Sequence, residues 1–470
     1  MPPIRIAVLA ALAFAPLPAL AAPARPAPGH PAAEAQALDL GQRIMAMRSV
    51  RGPGNETPKV AAALRDALVA GGFAASDVEV VPVDDTAYLV AKWQGGDPKL
   101  KPMILSGHMD VVEARRADWQ RDPFTPVIED GYLYGRGATD MKIDVALMVS
   151  SLIELKRQGY KPRRTVILAL SGDEETLMKT GQMLAERFAG AELVLNADFD
   201  LNGQLDEQTG KPLMFDWQGA EKSYADFELE VTNPGGHSSK PNAENAIVQL
   251  SQALVHIGAY RFKPELNDLT RAYFETSAPL QSDPALGASM LAFAKDPSDP
   301  AASAALRKVP VLYGMMGTTC IPTTIVGGHA VNAQPQRVTA VVNCRIFPGH
   351  SNAEIMAELK SVADVPQMTI RDMTEGAIAT EASPLRPDVK SAIERSIRKV
   401  YPGIPVIPAM SLGASDNMWY RHKGVPSYVV SPLFVKASDY HSHGLNEKVP
   451  LANIPPAITY YTSLITDLTK

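Results

Sequence analysis

Apolar positions along this chain follow two periods, and the period switches repeatedly between helix and strand. In "ETPKVAAALRDALVAGGF" Val60, Ala63, Leu64 and Leu68 recur at helical spacing, and Gly71-Gly72 ends the run. The stretches "VEVVPV", "AYLVAKW" and "PMILSG" that follow predict strands. Next come a helix in "VALMVSSLIELKRQGY" closed by Gly159, a strand in "RTVILALSG", a helix in "TGQMLAERFAG" and a strand in "AELVLNAD". Strands that are apolar on nearly every residue need cover on both faces, so the alternation predicts an α/β sheet between helical layers.

Near residue 221 the texture changes. "KSYADFELEVTN" alternates as a half-exposed strand does, "NAENAIVQLSQALVHI" is an amphipathic helix, and "TTIVGG" and "RVTAVVNCRI" are strands. "NAEIMAELKSVA" and "QMTIRDM" add a helix and a last strand, which makes a β-α-β-β-α-β unit with one exposed sheet face. An insertion at about residues 260 to 318, containing "DPALGASMLAFAKDPSDPAASAALRK", reads as helical and proline-punctuated, with no function assigned. After residue 376 "RPDVKSAIERSIRKVY" and "PSYVVSPLF" restore the first texture. The expectation is one α/β domain, residues 36–220 and 376–470, interrupted by a smaller α+β domain at 221–375.

Composition narrows the function. With 470 residues, 46% hydrophobic, 20% charged and a net charge of −6, the chain has the balance of a globular protein and no basic patch for nucleic acid. The first residues, "MPPIRIAVLAALAFAPLPALAAPA", combine Arg5, an apolar run and the small-residue pattern Ala19-Leu20-Ala21. That is the pattern of a secretory signal peptide over residues 1–21, followed by a Pro/Ala-rich leader of little structure at 22–35. Pro16 and Pro18 break the run short of the ~20 residues a spanning helix needs. The expectation is a periplasmic or secreted protein, free of the membrane after cleavage. Cys320 and Cys344 are too few for a disulfide framework; one bridge and two buried thiols both remain open.

"LSGHMDVV" places His108 and Asp110 two apart at a strand end, on the same side. Asp140 stands in "YGRGATDMKID", Asp173, Glu174 and Glu175 in "LALSGDEET", Asp198 in "LVLNADFD", and His441 and His443 in "YHSHGLNE". Singly, each is a cap, a turn former or a helix-start acid. Jointly they gather where open α/β sheets bind ligands, beyond the carboxyl ends of the strands. Carboxylates crowded into one volume repel unless a cation holds them, and imidazole with carboxylate suits zinc and similar divalent metals.

The set "SGHMDVV", "W..DPF", "DGYLYGRGATDMK", "SGDEE", "GGHSSKP" and "HGLNE", in this order, resembles the M20 metallopeptidases. That family includes glutamate carboxypeptidase, carnosinase-like dipeptidases, aminoacylases and succinyl-diaminopimelate desuccinylase. The resemblance covers almost the whole mature chain. It implies a mixed-sheet metallopeptidase domain covered by helices and interrupted by a lid and dimerisation domain. It implies two zinc ions, with cobalt or manganese as substitutes, bridged by Asp140. His108 and Asp198 would complete one site, Glu175 and His443 the other. Glu174 would be the general base, with Asp110 orienting His108. His237 of "NPGGHSS" would reach the oxyanion across a homodimer interface, and Asn332 and Arg345 would bind substrate, a short peptide or an N-acyl amino acid. Ile143-Asp144 stands where the family has Gly-Gly, "NADFD" replaces "NEGG" or "NADGG", and His441 adds a second imidazole.

Rival classes fit less well. The chain has no Gly-x-Ser-x-Gly elbow, and "GRGATD" has neither the third glycine nor the preceding strand of a dinucleotide fingerprint. A non-catalytic zinc module would not need Glu174 free beside Glu175.

Overall fold

A computed structural model describes residues 29–198, 202–241 and 243–470. The signal-peptide expectation, and the leader up to residue 28, lie outside the described residues.

Among the described residues, ten strands make the large sheet. Its order begins Val78–Val83, Thr86–Trp93, Val166–Ser171, Met103–His108, Leu193–Asn196, Ser427–Val429, Pro212–Glu221. Gly203–Leu205 and Phe434–Val435 follow at the edge, and Val406–Ser411 also pairs with Pro212–Glu221. The sheet is mixed: Met103–His108 runs parallel to both Val166–Ser171 and Leu193–Asn196, whereas Thr86–Trp93 is antiparallel to its neighbours. Period-two alternation sorts the central strands between two cores. Met103, Leu105, Leu168 and Leu195 face the larger helical layer, and Ile104, Ile167, Ala169 and Val194 face the other.

The leader expectation needs correction at its end. Pro31–Met45 is a helix, with proline in its first turn, where the missing N–H is harmless. Ala33, Ala37, Leu40 and Ile44 line one buried face, packed against helix Lys142–Arg157. Alanines at i and i+4 were enough to form that face, but the surrounding prolines hid it.

The smaller sheet has the order Thr319–Gly327, Arg337–Ile346, Ser223–Thr232, Thr369–Asp372, every pair antiparallel. Helices Ala246–Ala259 and Asn352–Ala363 enclose a separate core with Phe227, Leu229, Leu250, Val342 and Leu359. Cys320 and Cys344 are Cα partners on adjacent strands and are joined as a disulfide.

The insertion does not stay with that sheet. Its helices Asp268–Ser277, Pro284–Lys295, Pro300–Leu306 and Pro310–Met315 bury Leu269, Phe274, Phe293 and Leu306 in the larger core, with Asp268–Ser277 lying on strand Val406–Ser411. The 221–375 boundary therefore encloses a segment that packs with the other unit. Helical periodicity reports that a face is apolar, not which core will bury it.

Candidate metal centre

Three parallel strands bring the site together. His108 is the last residue of Met103–His108 and pairs in register with Ser171, while Ser106 pairs with Asn196. The strand ends are thus level, and the loops carrying Glu174, Glu175 and Asp198 emerge beside His108. Ligand atoms of His108, Glu174 and Asp198 lie within 4.8 Å of one another, as do those of His108, Asp140 and Glu175.

Asp140 stands between two imidazoles. Its Oδ1 is 3.0 Å from His108 Nε2, and its Oδ2 is 3.0 Å from His443 Nε2. His443 Nε2 is also 2.9 Å from Glu175 Oε2, and Asp198 Oδ1 lies 4.0 Å from His108 Nε2. Of the two histidines in "YHSHGLNE", it is His443 that meets the carboxylates.

The other ring nitrogen of His108 lies 3.0 Å from the Asp110 carbonyl oxygen and 3.6 Å from the Asp110 carboxylate. With Nδ1–H donating to that carbonyl, Nε2 is left as the ligating atom. Orientation of His108 thus comes from the Asp110 backbone rather than its side chain, a revision of the sequence expectation. The carboxylate instead accepts the N–H groups of Glu174 and Glu175, each at 3.1 Å. Those two donors sit in a tight turn with no ladder partner, and Asp110 fixes both acidic residues at once.

Glu447 of "HGLNE" is a residue to which the sequence pattern assigns no role. It is fully buried and holds the Asp140 loop: Oε1 accepts the N–H of Thr139 at 2.6 Å and of Asp140 at 3.0 Å, and Oε2 accepts Gly137 N–H at 3.0 Å and Arg136 Nη1 at 2.7 Å. A glycine-rich turn leaves backbone donors unpaired, and that was the one signal in the sequence that a buried acceptor was needed.

Electrostatically the cluster is strained in the direction a cation relieves. Burial pushes Glu175 up to about 7, with Asp140 adding to the effect. Burial and Asp198 raise Glu174 well above the carboxylate range, and Asp198 is raised by burial as well. For Asp140 burial also acts upward, but hydrogen bonds from His108 and His443 outweigh it and hold the group low. His443 is raised to about 10 by its hydrogen bonds to Asp140 and Glu175. Oxygen and imidazole donors at this spacing fit divalent metal.

A cavity of about 310 Å³ opens on this cluster, lined by Asp140, Asp198, His443, Glu221, Ser411 and Ser415 among others. Glu221 is a buried wall residue, paired with Arg421 and accepting Ser415 Oγ at 2.7 Å. His237, Asn332 and Arg345 do not line this cavity. His237 is exposed on the ribbon Gly236–His237 paired with Ala333–Gln334, its Nδ1 accepting the Ser239 hydroxyl at 2.7 Å. Asn332 joins the same ribbon through its carbonyl, which accepts Ser238 N–H at 3.0 Å. Arg345 lies over the Tyr224 ring, 4.9 Å from its centroid.

A family model described as peptidase family M20/M25/M40 matches residues 104–467. The chain belongs to that family. Among curated M20 relatives, a probable carboxypeptidase S-like 2 of Dictyostelium discoideum is 28% identical, covering 81% of this chain and 74% of its own. The N-fatty-acyl-amino acid synthase/hydrolase PM20D1 of Mus musculus is 27% identical over 79% of this chain and 75% of its own. An M20 family metallo-carboxypeptidase from Sulfolobus solfataricus has the same fold, with a TM-score of 0.69 at 19% identity, covering 92% of this chain and 98% of that one. This M20 chain is a metal-dependent hydrolase.

Proposed function

We propose that the protein is a dinuclear amide hydrolase acting on small substrates that end in a free carboxylate. The observation that carries this reading is the pair of 3.0 Å approaches of one carboxylate, Asp140, to two imidazoles on opposite sides, with Glu174 beside them. His108, Asp140 and Asp198 would hold one ion, and Asp140, Glu175 and His443 the other. Two zinc ions, when bound, supply Lewis acidity to a water and to the scissile carbonyl. Glu174 takes a proton from that water and returns it to the leaving nitrogen. His237 donates to the developing oxyanion, and Asn332 and Arg345 hold the substrate. Arg345 suits a carboxylate because its planar fork offers two parallel donors.

Short peptides are the first substrate reading, supported by the carboxypeptidase relatives. N-acyl amino acids are the second, supported by several fatty-acyl-amino acid hydrolase relatives at 25–29% identity. The test is hydrolysis of both classes before and after chelation and zinc reloading, beside Glu174→Gln. Chelation should abolish turnover and zinc restore it. Glu174→Gln should bind metal yet lose ~10²–10⁴ in rate. Activity within a few-fold of the parent removes Glu174 from the mechanism.

A homodimer is proposed to place His237 in the partner's site. Strand Thr319–Gly327 is a sheet edge with a single ladder neighbour, and it exposes Ile321, Ile325 and Val326. An apolar edge of this kind is a template for pairing with a second copy. Export is proposed from the first 21 residues, and the Cys320–Cys344 bridge is in keeping with an oxidising compartment. Mature protein beginning at Ala22, read by N-terminal sequencing, is the check. Among the described residues, no helix is long and apolar enough to cross a membrane.

A further inference from the structure

The insertion that carried no assignable signal builds a second cavity beside the metal centre. Its volume is about 200 Å³, and helices Asp268–Ser277 and Pro310–Met315 supply Tyr273, Val311 and Met315 to its wall. Strand Val406–Ser411 and the residue after it supply Met410 and Leu412. Leu412 and Gln218 line the metal cavity as well, so the two spaces share a wall. Helix Pro310–Met315 seats closely on that wall at Gly314, where a Cβ would stand 2.8 Å from Leu412 Cδ1.

We propose that this side cavity is the pocket for the acyl half of the substrate, and that it takes an unbranched apolar acyl group of medium length. The inference rests on the amide-hydrolase reading above and names the substrate class. An amide substrate has two halves that diverge from the scissile carbonyl. The half ending in a carboxylate has its cationic partner in Arg345, on a strand of the smaller sheet. The side cavity offers that half no partner: no Lys, Arg or His stands among its described lining residues, and its polar side is formed by Gln204, Gln218 and Asp216, which accepts an amide hydrogen of Asn202. What remains for a space walled by Met315, Met410, Leu412 and Val311 is the uncharged acyl half. At ~30 Å³ per water-sized volume, 200 Å³ holds about six or seven methylene-sized groups. Together with the metal cavity, the space falls in the ~300–1,000 Å³ range of small-molecule sites.

The experiment uses the zinc-loaded mature chain and a series of N-acyl derivatives of one amino acid: acetyl, butyryl, hexanoyl, octanoyl and palmitoyl. Burial of each methylene is worth ~0.8 kcal/mol, roughly fourfold, so kcat/KM should rise about two hundredfold over the four methylenes from acetyl to hexanoyl and level off near octanoyl. Val311→Trp, at a position half open to solvent and therefore tolerant of bulk, should lower the hexanoyl-to-acetyl ratio at least tenfold. Met315→Ala should move the preferred length upward. Both readouts are ratios within one protein, so a loss of folded material cancels. Calorimetry on zinc-loaded Glu174→Gln adds a turnover-free measurement, in which affinity should rise along the same series.

A flat series in the parent, or variants that scale every substrate equally, overturns the pocket. Cleavage of dipeptides alone overturns the acyl assignment and leaves the amide-hydrolase reading standing. Cleavage of neither class by zinc-loaded protein overturns both.

Discussion

Ile143 and Asp144, where the family's glycines would stand, are fully buried, and each has found a specific accommodation. Ile143 sits against Gly41, where a Cβ would come within 2.6 Å of its Cδ1, so helix Pro31–Met45 offers a small residue to the large one. Asp144 accepts the hydroxyls of Ser431 and Tyr461, each at 2.7 Å, and burial pushes its carboxyl up to about 7. Its folded pKa is raised, so the folded chain keeps a proton that the unfolded chain has released. Stability from this group is therefore lost as pH rises from about 4 to about 7. Asp144→Asn mimics the neutral acid. It should leave stability unchanged near pH 4 and raise it by ~1–4 kcal/mol at pH 8, as read from urea unfolding at both pH values. Equal gains at the two pH values would show that Asp144 is not held neutral.

At the scale of elements, most helices and strands were legible because their periodicity is strong: the central strands alternate between two cores and Ser223–Thr232 alternates between core and solvent. Two features were not. Helix Pro31–Met45 begins inside a proline-rich stretch, and the carbonyls of Ile44 in its last turn and of Met47 just beyond it accept the buried Lys142 amine, a partner nearly a hundred residues away. The insertion helices carried apolar faces without an address. Phe274 is fully buried in the larger core, its ring 5.0 Å from that of Phe293. Phe274→Ala should therefore destabilise the catalytic unit by ~3–5 kcal/mol, with release of bound metal following the same unfolding transition. Unfolding of the insertion alone, with metal retained, would contradict its place in that core.

At the scale of the molecule, the candidate metal ligands and His237 stand on different units, and within one chain His237 does not line the cavity beside them. This separation motivates a mixing experiment. His237→Ala and Glu174→Gln subunits are each expected to be inactive. If the chain forms the proposed homodimer, exchange to equilibrium makes half the dimers mixed, each with one intact site, so about a quarter of parental activity should return. No recovery after demonstrated exchange would mean that His237 serves its own subunit or none.

The sequence alone determined that the chain belongs to a family of metal-dependent hydrolases, because that membership rests on residue types and strand-end positions, and both are written locally in "SGHMDVV", "GATDMK", "SGDEE" and "HGLNE". Only the tertiary structure decided which atoms do what. It gave His108 its orientation from a backbone carbonyl, set the Asp110 carboxylate on the Glu174-Glu175 turn, and sent Glu447 under the Asp140 loop. It also chose the core for residues 268–315 and opened a cavity beside the metal site. These choices depend on which buried donor lies nearest which acceptor, and on which apolar faces meet. Such distances are set by the packing of segments hundreds of residues apart, not by the pattern within any one of them.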